Sequence, residues 1–562
     1  MKFIKDPIYG NIICSKLEFE IFTLPVFNRL HNILQNSMAF MVYPSNKTSR
    51  FAHSIGVCHI AGELYKYGLQ NSKSNILKDF LIQKETLINN DFVDELKNKI
   101  DGKFGVNADK LKKHIFNNEN KIDFSKLING LNDVFGEYFI NTNFIEILNK
   151  NLFVVNILLM QSVRLFGLLH DFGHLPFSHL FEFAIEDFYD DISDDNEYRC
   201  IKDKFKILIE ENEDEIHEFI GKKLSKLVLK YIQNKKLNDN NSIMLNNSSI
   251  EAFVILEILI FLLKEIYKGK DSELLCLYEL VSSDLDADRL DYVARDLEAS
   301  GLKYNFDTDR IIKLFVLDKR NDECNDNFKF YPAVQSIYDV DLLFENRNML
   351  YKMILNHHKV KKFDYILQIL IKMLFYYELG KEDSKSISIN SMNDILNLIL
   401  SLYKKIDDNS EMGTIERVFY QFSQVTDYWL LGKLRNKLLE YILNNTDEKN
   451  ELFINLASEL FGGTKQYKSL YKREFEYNEF IKELGSDFDL SDIKKVGKKI
   501  LNENILIAPV KTPRQPNNLQ LIDIKTFKKN SYIFTNNGFS IKFFVYTFDN
   551  CKKYYIIKKM KE

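Results

Sequence analysis

Apolar positions along this chain recur mostly at helical spacing. Ile55, Val57, Ile60, Ala61 and Leu64 form one such series after Arg50, while Leu152 to His170 and Ile250 to Leu280 are apolar enough to predict buried helices. Gly173 and Pro176 stop the Leu152 series just beyond His170. His217 is predicted to open a helix running toward Tyr231, with Asn238 to Ser249 as a polar connector. Beyond Leu302 helices are expected to continue through Phe363 to Tyr377, then over Ser391 to Lys405 and Arg417 to Leu443, with a Ser/Asp/Lys-rich break at Gly380 to Ser388. After Pro509 the pattern changes to alternating β-branched and aromatic residues at Leu519 to Ile524, Tyr532 to Phe534, Ile541 to Tyr546 and Tyr554 to Ile557.

These patterns predict a mainly α chain with a helical insertion and a small C-terminal α+β lobe. The insertion lies between Tyr67 and Lys150 and is rich in Lys, Asn and Asp. Leu77, Phe80 and Leu81, then Val93, Leu96 and Ile100, mark amphipathic helices in it. It reads as a solvated elaboration or, more sharply, as an oligomer contact or a lid. The expected partition is a core at 1–375 with the insertion at about 70–150, a helical accessory region at 376–500 and a β-containing lobe at 501–562. The acidic tract Glu186, Asp187, Asp190, Asp191, Asp194 and Asp195 reads as an exposed loop, and Gly462 to Lys465 as a turn without P-loop spacing.

Composition narrows the class. With 45% hydrophobic and 28% charged residues in 562, the chain is that of a globular protein. Its net charge of −4 gives no global attraction to nucleic acid or an anionic membrane, so an anionic ligand must be met by a local basic pocket. Charges and a proline in Met1 to Pro7 replace the apolar core of a signal peptide. The apolar stretches Leu152 to Met160 and Ala252 to Lys264 read as too short or interrupted to cross a bilayer. Six cysteines without C-x-x-C spacing indicate neither a disulfide framework nor a zinc knuckle, and a cytoplasmic location is expected.

The chemistry concentrates in His170-Asp171-Phe-Gly-His174-Leu-Pro-Phe-Ser-His179. Three imidazoles and a carboxylate in one turn-containing segment cannot all be buried without partners, and a divalent cation resolves that cost. Arg50-Phe-Ala-His53 upstream and Asp286-Ala-Asp288-Arg-Leu-Asp291 downstream offer the remaining donors. A lone histidine such as His53 or His59 on an apolar helix face is ordinarily an interior residue; the combination of segments is what singles out His53. The mixed nitrogen and oxygen set suits Mn, Fe, Mg or Zn.

Taken in order, these motifs resemble the HD-domain deoxynucleoside triphosphate triphosphohydrolases, a family that includes the bacterial dGTPases. The likeness begins at Lys2 to Gly10, continues through Phe27 to Leu30, Tyr43-Pro44 and Arg50 to Val57, and includes His217-Glu218, Asp286 to Asp296, Tyr338 to Asp341, Arg347-Asn348 and His357. It implies an HD-domain helical core with His53, His170, Asp171 and Asp288 as metal ligands. It also implies His174, His179, Glu182, His217 and Arg50 as catalytic residues, and Gln35, Arg289, Tyr292, Asp296 and Arg347 as substrate-binding residues. The implied reaction converts a dNTP to a deoxynucleoside and triphosphate, in a homo-oligomer with a nucleotide activator. Asn36, Leu355, Thr23, Asn28 and His31 depart from the animal members' pattern at the sugar and guanine-activator positions, and Glu182 follows the bacterial one. Nucleotide depletion during phage infection is a role such an activity would serve. Two alternatives stay open: an HD phosphodiesterase or nuclease acting on another phosphoester, and a nucleotide-sensing regulatory protein.

Overall fold

The Arg50–Gln70 helix begins after Ser49, whose backbone is extended and whose Oγ accepts the Ala52 amide (3.3 Å). Asn149 caps Lys150–Leu169 in the same way through the Leu152 amide (2.9 Å). The two helices pack along their length, and Gly167 makes this possible, because a Cβ there would lie 3.1 Å from the Val57 carbonyl oxygen. Lys150–Leu169 has the length and hydropathy of a membrane span, contrary to the expectation from Leu152 to Met160, but 94% of that stretch is buried among the protein's own helices. This computed structural model describes residues 2–143, 148–192, 199–210, 214–239, 247–322, 324–379, 388–404, 410–443, 450–462, 466–485, 491, 493–501, 505–510, 519–532, 540–548 and 553–561.

The fold is mainly α. Around the central pair lie His179–Ile192, Ile216–Asp239, Asn247–Ile266, Ala287–Ala299, Ile337–Leu350 and His358–Glu378. The insertion forms the helices Ser74–Asp91, Val93–Phe104 and Ala108–Ile115 with shorter pieces, and Phe92 stacks on Phe261 of the core at 4.8 Å. Among the described residues, the strand pairs of four small sheets are antiparallel.

Several elements differ from the sequence reading. The acidic tract is not a loop through Asp191: Glu186 to Asp191 belong to His179–Ile192, and Asp191 accepts Lys372 (2.8 Å) and Lys498 (2.7 Å), while Asp194 and Asp195 lie outside the described residues. The helical run expected after Leu302 is interrupted by the hairpin Phe315–Lys319 with Phe328–Pro332, whose Phe330 ring lies against Gly68. A hairpin, Phe3–Asp6 with Gly10–Ile13, opens the chain. Arg417 to Leu443 divides into Met412–Gln424 and Asp427–Leu443. Strand Ile505–Pro509 precedes the expected β region, whereas Tyr554 to Ile557 falls within helix Lys553–Lys561, which buries Ile556 and Met560 one turn apart. Gly463 to Lys465 and most of the Gly380 break lie outside the described residues.

Candidate metal centre and its cavity

Four segments deliver the site. Arg50–Gln70 presents Arg50 and His53 in its first turn, and Lys150–Leu169 ends at His170-Asp171. Asp286 caps Ala287–Ala299 by accepting the Arg289 amide (2.7 Å), which fixes Asp288 in that helix's first turn. Ile216–Asp239 brings His217 against the His-Asp turn so closely that a Cβ on Gly173 would lie 1.9 Å from the His217 carbonyl oxygen. Glycine is obligatory at that crossing.

His53 Nε2 lies 3.0 Å from Asp288 Oδ1 and 3.4 Å from Asp171 Oδ2. His170 Nε2 lies 3.4 Å from Asp171 Oδ2 and 3.8 Å from Asp288 Oδ1. The other nitrogen of each ring is committed: His53 Nδ1 to Asp291 Oδ2 (2.8 Å), His170 Nδ1 to the Gly167 carbonyl (2.7 Å). Both Nε2 atoms are buried without a hydrogen-bond partner. Burial alone would lower the two imidazoles, yet the facing carboxylates raise His53 well above its ordinary value and His170 to about 9. The two orphaned ring nitrogens fit a divalent cation: His53, His170 and Asp288 converge closely enough to hold one, and Asp171 Oδ2, also paired with Arg50, lies 3.4 Å from both Nε2 atoms.

Beside this cradle, three imidazoles share one carboxylate. His217 Nδ1 lies 2.9 Å from Glu182 Oε2, His174 Nδ1 3.5 Å from Oε1 and His179 Nδ1 3.7 Å from Oε2. The His174 and His217 rings stack at 4.1 Å, and His174 Nε2 faces Asp171 Oδ1 at 3.2 Å. Burial opposes ionisation of Glu182, but the three histidines hold it well below the carboxylate range. Burial, with Arg50 and His217 nearby, pushes His174 down to about 3. His217, although burial works against it, is raised by Glu182. His179 is the half-exposed member and faces the cavity.

A cavity of about 680 Å³ adjoins both clusters, within the range of small-molecule sites. Gln35, Arg50, Asp171, His179, Glu182, Asp288, Tyr292, Asp296 and Arg347 line it. Arg50 pairs with Asp171 through Nη1 and donates Nε to Ser178 Oγ (3.0 Å). Arg347 donates Nε to the Tyr292 hydroxyl (2.6 Å). Gln35 Oε1 and Asp296 Oδ1 are buried with no partner, and burial lifts Asp296 to about 7. Arg289 is placed differently: its guanidinium folds back onto the Ser283 and Asp284 carbonyls, and it is not among the lining residues.

The sequence offered Asp291 only as one of the downstream carboxylates, not as the residue that orients His53 and pairs with Arg295 (2.8 Å), and gave no role to Ser178 beside Arg50. A signal for Asp291 existed in Gly56, where a Cβ would lie 1.9 Å from Asp291 Oδ1.

No family model matches the chain. An HD domain-containing protein of Acanthamoeba polyphaga mimivirus is 23% identical over 317 residues, covering 56% of this chain and 50% of that protein. The chicken deoxynucleoside triphosphate triphosphohydrolase SAMHD1 is 22% identical over 483 residues, covering 80% of this chain and 58% of that protein, and the human one is 22% identical over 475, covering 78% and 57%. A phosphohydrolase structure from Bacteroides thetaiotaomicron covers 98% of this chain and 100% of its own, with a TM-score of 0.51 and 18% identity, a likeness of fold. The architecture is mainly α and HD-like. Its homologues are HD-domain proteins and SAMHD1 dNTP triphosphohydrolases at low identity, as the motifs implied, and the chain spans about half the length of the first of these curated relatives.

Proposed function

We propose that the chain is a metal-dependent phosphohydrolase that converts a dNTP to a deoxynucleoside and triphosphate. The observation that carries this reading is the pair of orphaned Nε2 atoms of His53 and His170 facing Asp171 and Asp288 at the wall of a nucleotide-sized cavity. A bound divalent cation would supply Lewis acidity toward the α-phosphate and an acidified water. The chain's own residues do the rest. Arg50 and Arg347 balance phosphate charge, and Tyr292 is oriented by Arg347. Water oxygen adds to the α-phosphorus, the bond to the 5′-oxygen breaks, and His179, backed by Glu182, gives that oxygen its proton, which is restored through solvent by the proton the attacking water loses. The orphaned Gln35 Oε1 and the Asp296 carboxyl suit a sugar hydroxyl. Supporting the substrate class are the SAMHD1 relatives, named for dNTP triphosphohydrolysis.

A polynucleotide substrate fits less well. Glu186, Glu215 and Asp364 join the cavity lining, and their charge repels an extended phosphate backbone. The test is to load the protein with Mn, Fe, Mg or Zn, offer each dNTP alone and in pairs, and separate the products. Deoxynucleoside with triphosphate is expected, and turnover only in pairs would reveal the nucleotide activator. Monophosphate with pyrophosphate, or release of inorganic phosphate, overturns the assigned reaction.

A further inference from the structure

Asp427 opens helix Asp427–Leu443, where a Thr-Asp pair ordinarily serves as a cap. Thr426 already does that work, its Oγ accepting the Trp429 amide (3.3 Å). The buried Asp427 carboxylate turns away from its own helix: Oδ1 accepts the Phe177 amide (2.6 Å) and Oδ2 the Leu34 amide (2.8 Å). Arg29 completes the junction by donating to the carbonyls of Phe172 (2.8 Å), His174 (2.8 Å) and Val425 (3.4 Å). The two bound segments are also laced to each other, Ser37 Oγ donating to the Phe177 carbonyl (3.0 Å) and Ser178 Oγ to that of Leu34 (3.2 Å).

What these bonds hold is a turn the backbone resists. Phe177 and Ser178 both have φ of +56°, in the left-handed region, and neither is glycine. Such a conformation persists only where its surroundings enforce it. It aims Ser178 at Arg50 and starts the helix that carries His179 and Glu182.

We propose that Asp427 is a positioning residue for the catalytic turn: by accepting the Phe177 and Leu34 amides together, it sets His179 and Ser178 in register with the neighbouring Gln35 along the cavity lining. Burial pushes its carboxyl up to about 7 against the pull of those two amides, so the position carries a real desolvation cost that a helix-start residue in water would not.

The effect on turnover rests on the phosphohydrolase reading; the effect on the turn does not. Asp427→Ala and Asp427→Asn are compared with the parent by hydrogen exchange over residues 33–38 and 172–179, by bound-metal analysis and by steady-state kinetics. Expected is faster exchange confined to those two segments and unchanged metal content. With it, kcat falls ~100-fold in the alanine variant, KM stays within about threefold, and the asparagine variant, which retains one acceptor, falls between. Unchanged exchange in both segments, faster exchange spread over the whole chain, or a kcat per bound metal within about threefold of the parent overturns the proposal. Should the alanine variant not fold, the asparagine variant decides by the same readings. Should the parent turn over no nucleotide, the phosphohydrolase reading fails, and the exchange pattern alone decides the clamp.

Discussion

The cradle of His53, His170, Asp171 and Asp288 and the neighbouring cluster of His174, His179, Glu182 and His217 use the same two kinds of side chain, and either offers enough donors to surround an ion. They differ in charge and in which ring nitrogen faces the carboxylates. In the cradle, Asp291 and the Gly167 carbonyl occupy Nδ1, so Nε2 of both imidazoles is left facing two carboxylates. In the neighbour, three imidazoles turn Nδ1 toward a single carboxylate. The cradle sets two imidazole Nε2 atoms against two carboxylates, one of them also paired with Arg50; the neighbour sets three imidazoles around one carboxylate. We read the cradle as the ion site and its neighbour as the proton-handling group, with Asp171 touching both: Oδ2 faces the cradle and Oδ1 faces His174.

The strongest way to break this division is to remove a cradle ligand. His170→Ala or Asp171→Ala is expected to lose bound metal and to cut turnover at least ~1,000-fold, with the helical circular-dichroism signal retained. Parental rates in either variant would end the assignment of the site. Glu182→Gln tests the other half. It should keep its metal and lose ~100-fold in kcat, since the imidazoles lose the charge that orients them. Loss of metal from Glu182→Gln would mean that the two clusters form one ion site.

A finer test asks whether the carboxylate behind the ring sets the metal affinity. Asp291→Asn leaves all four ligands in place but withdraws the charge from His53 Nδ1. Metal affinity measured by competition with a chelator should fall ~10-fold, with kcat at saturating metal changed much less. An unchanged affinity would show that the His53 tautomer is fixed by packing alone.

How much of this was legible in the sequence follows from the same physics. The convergence of the candidate ligand segments was readable because metal chemistry needs particular residue types at short spacing, and His170-Asp171 or Asp286 to Asp291 advertise themselves. The large helices were readable from periodicity, because a face buried against neighbours must repeat every three to four residues. The hairpin Phe315–Lys319 with Phe328–Pro332 was not, because its apolar residues pack on Arg50–Gln70 through Phe330 and Gly68, a contact across distant sequence. Lys553–Lys561 was hidden by aromatic and β-branched residues that mimic a strand until Ile556 and Met560 are seen on one buried face. Arg289 shows what a motif position does not fix: the resemblance implied a contact with polyphosphate or sugar, and in the folded chain its guanidinium donates to the local Ser283 and Asp284 carbonyls.

Asp296 extends the comparison to a carboxyl that has neither a cation ligand set nor imidazoles bonded to it. Burial raises it to about 7, so the folded chain holds a proton there that the unfolded chain releases near the ordinary aspartate value, ~3.9. Between those two values the folded state binds the extra proton, and stability contributed by this group falls as pH rises through the window. Asp296→Asn cannot ionise and escapes that loss. Its melting temperature should match the parent's near pH 4 and exceed it increasingly toward pH 8, while KM for the nucleotide rises because the sugar-facing carboxyl is gone. A melting difference that is the same at both ends of the pH range would show that Asp296 is ionised through a partner it acquires in solution, and would place it with the cradle carboxylates.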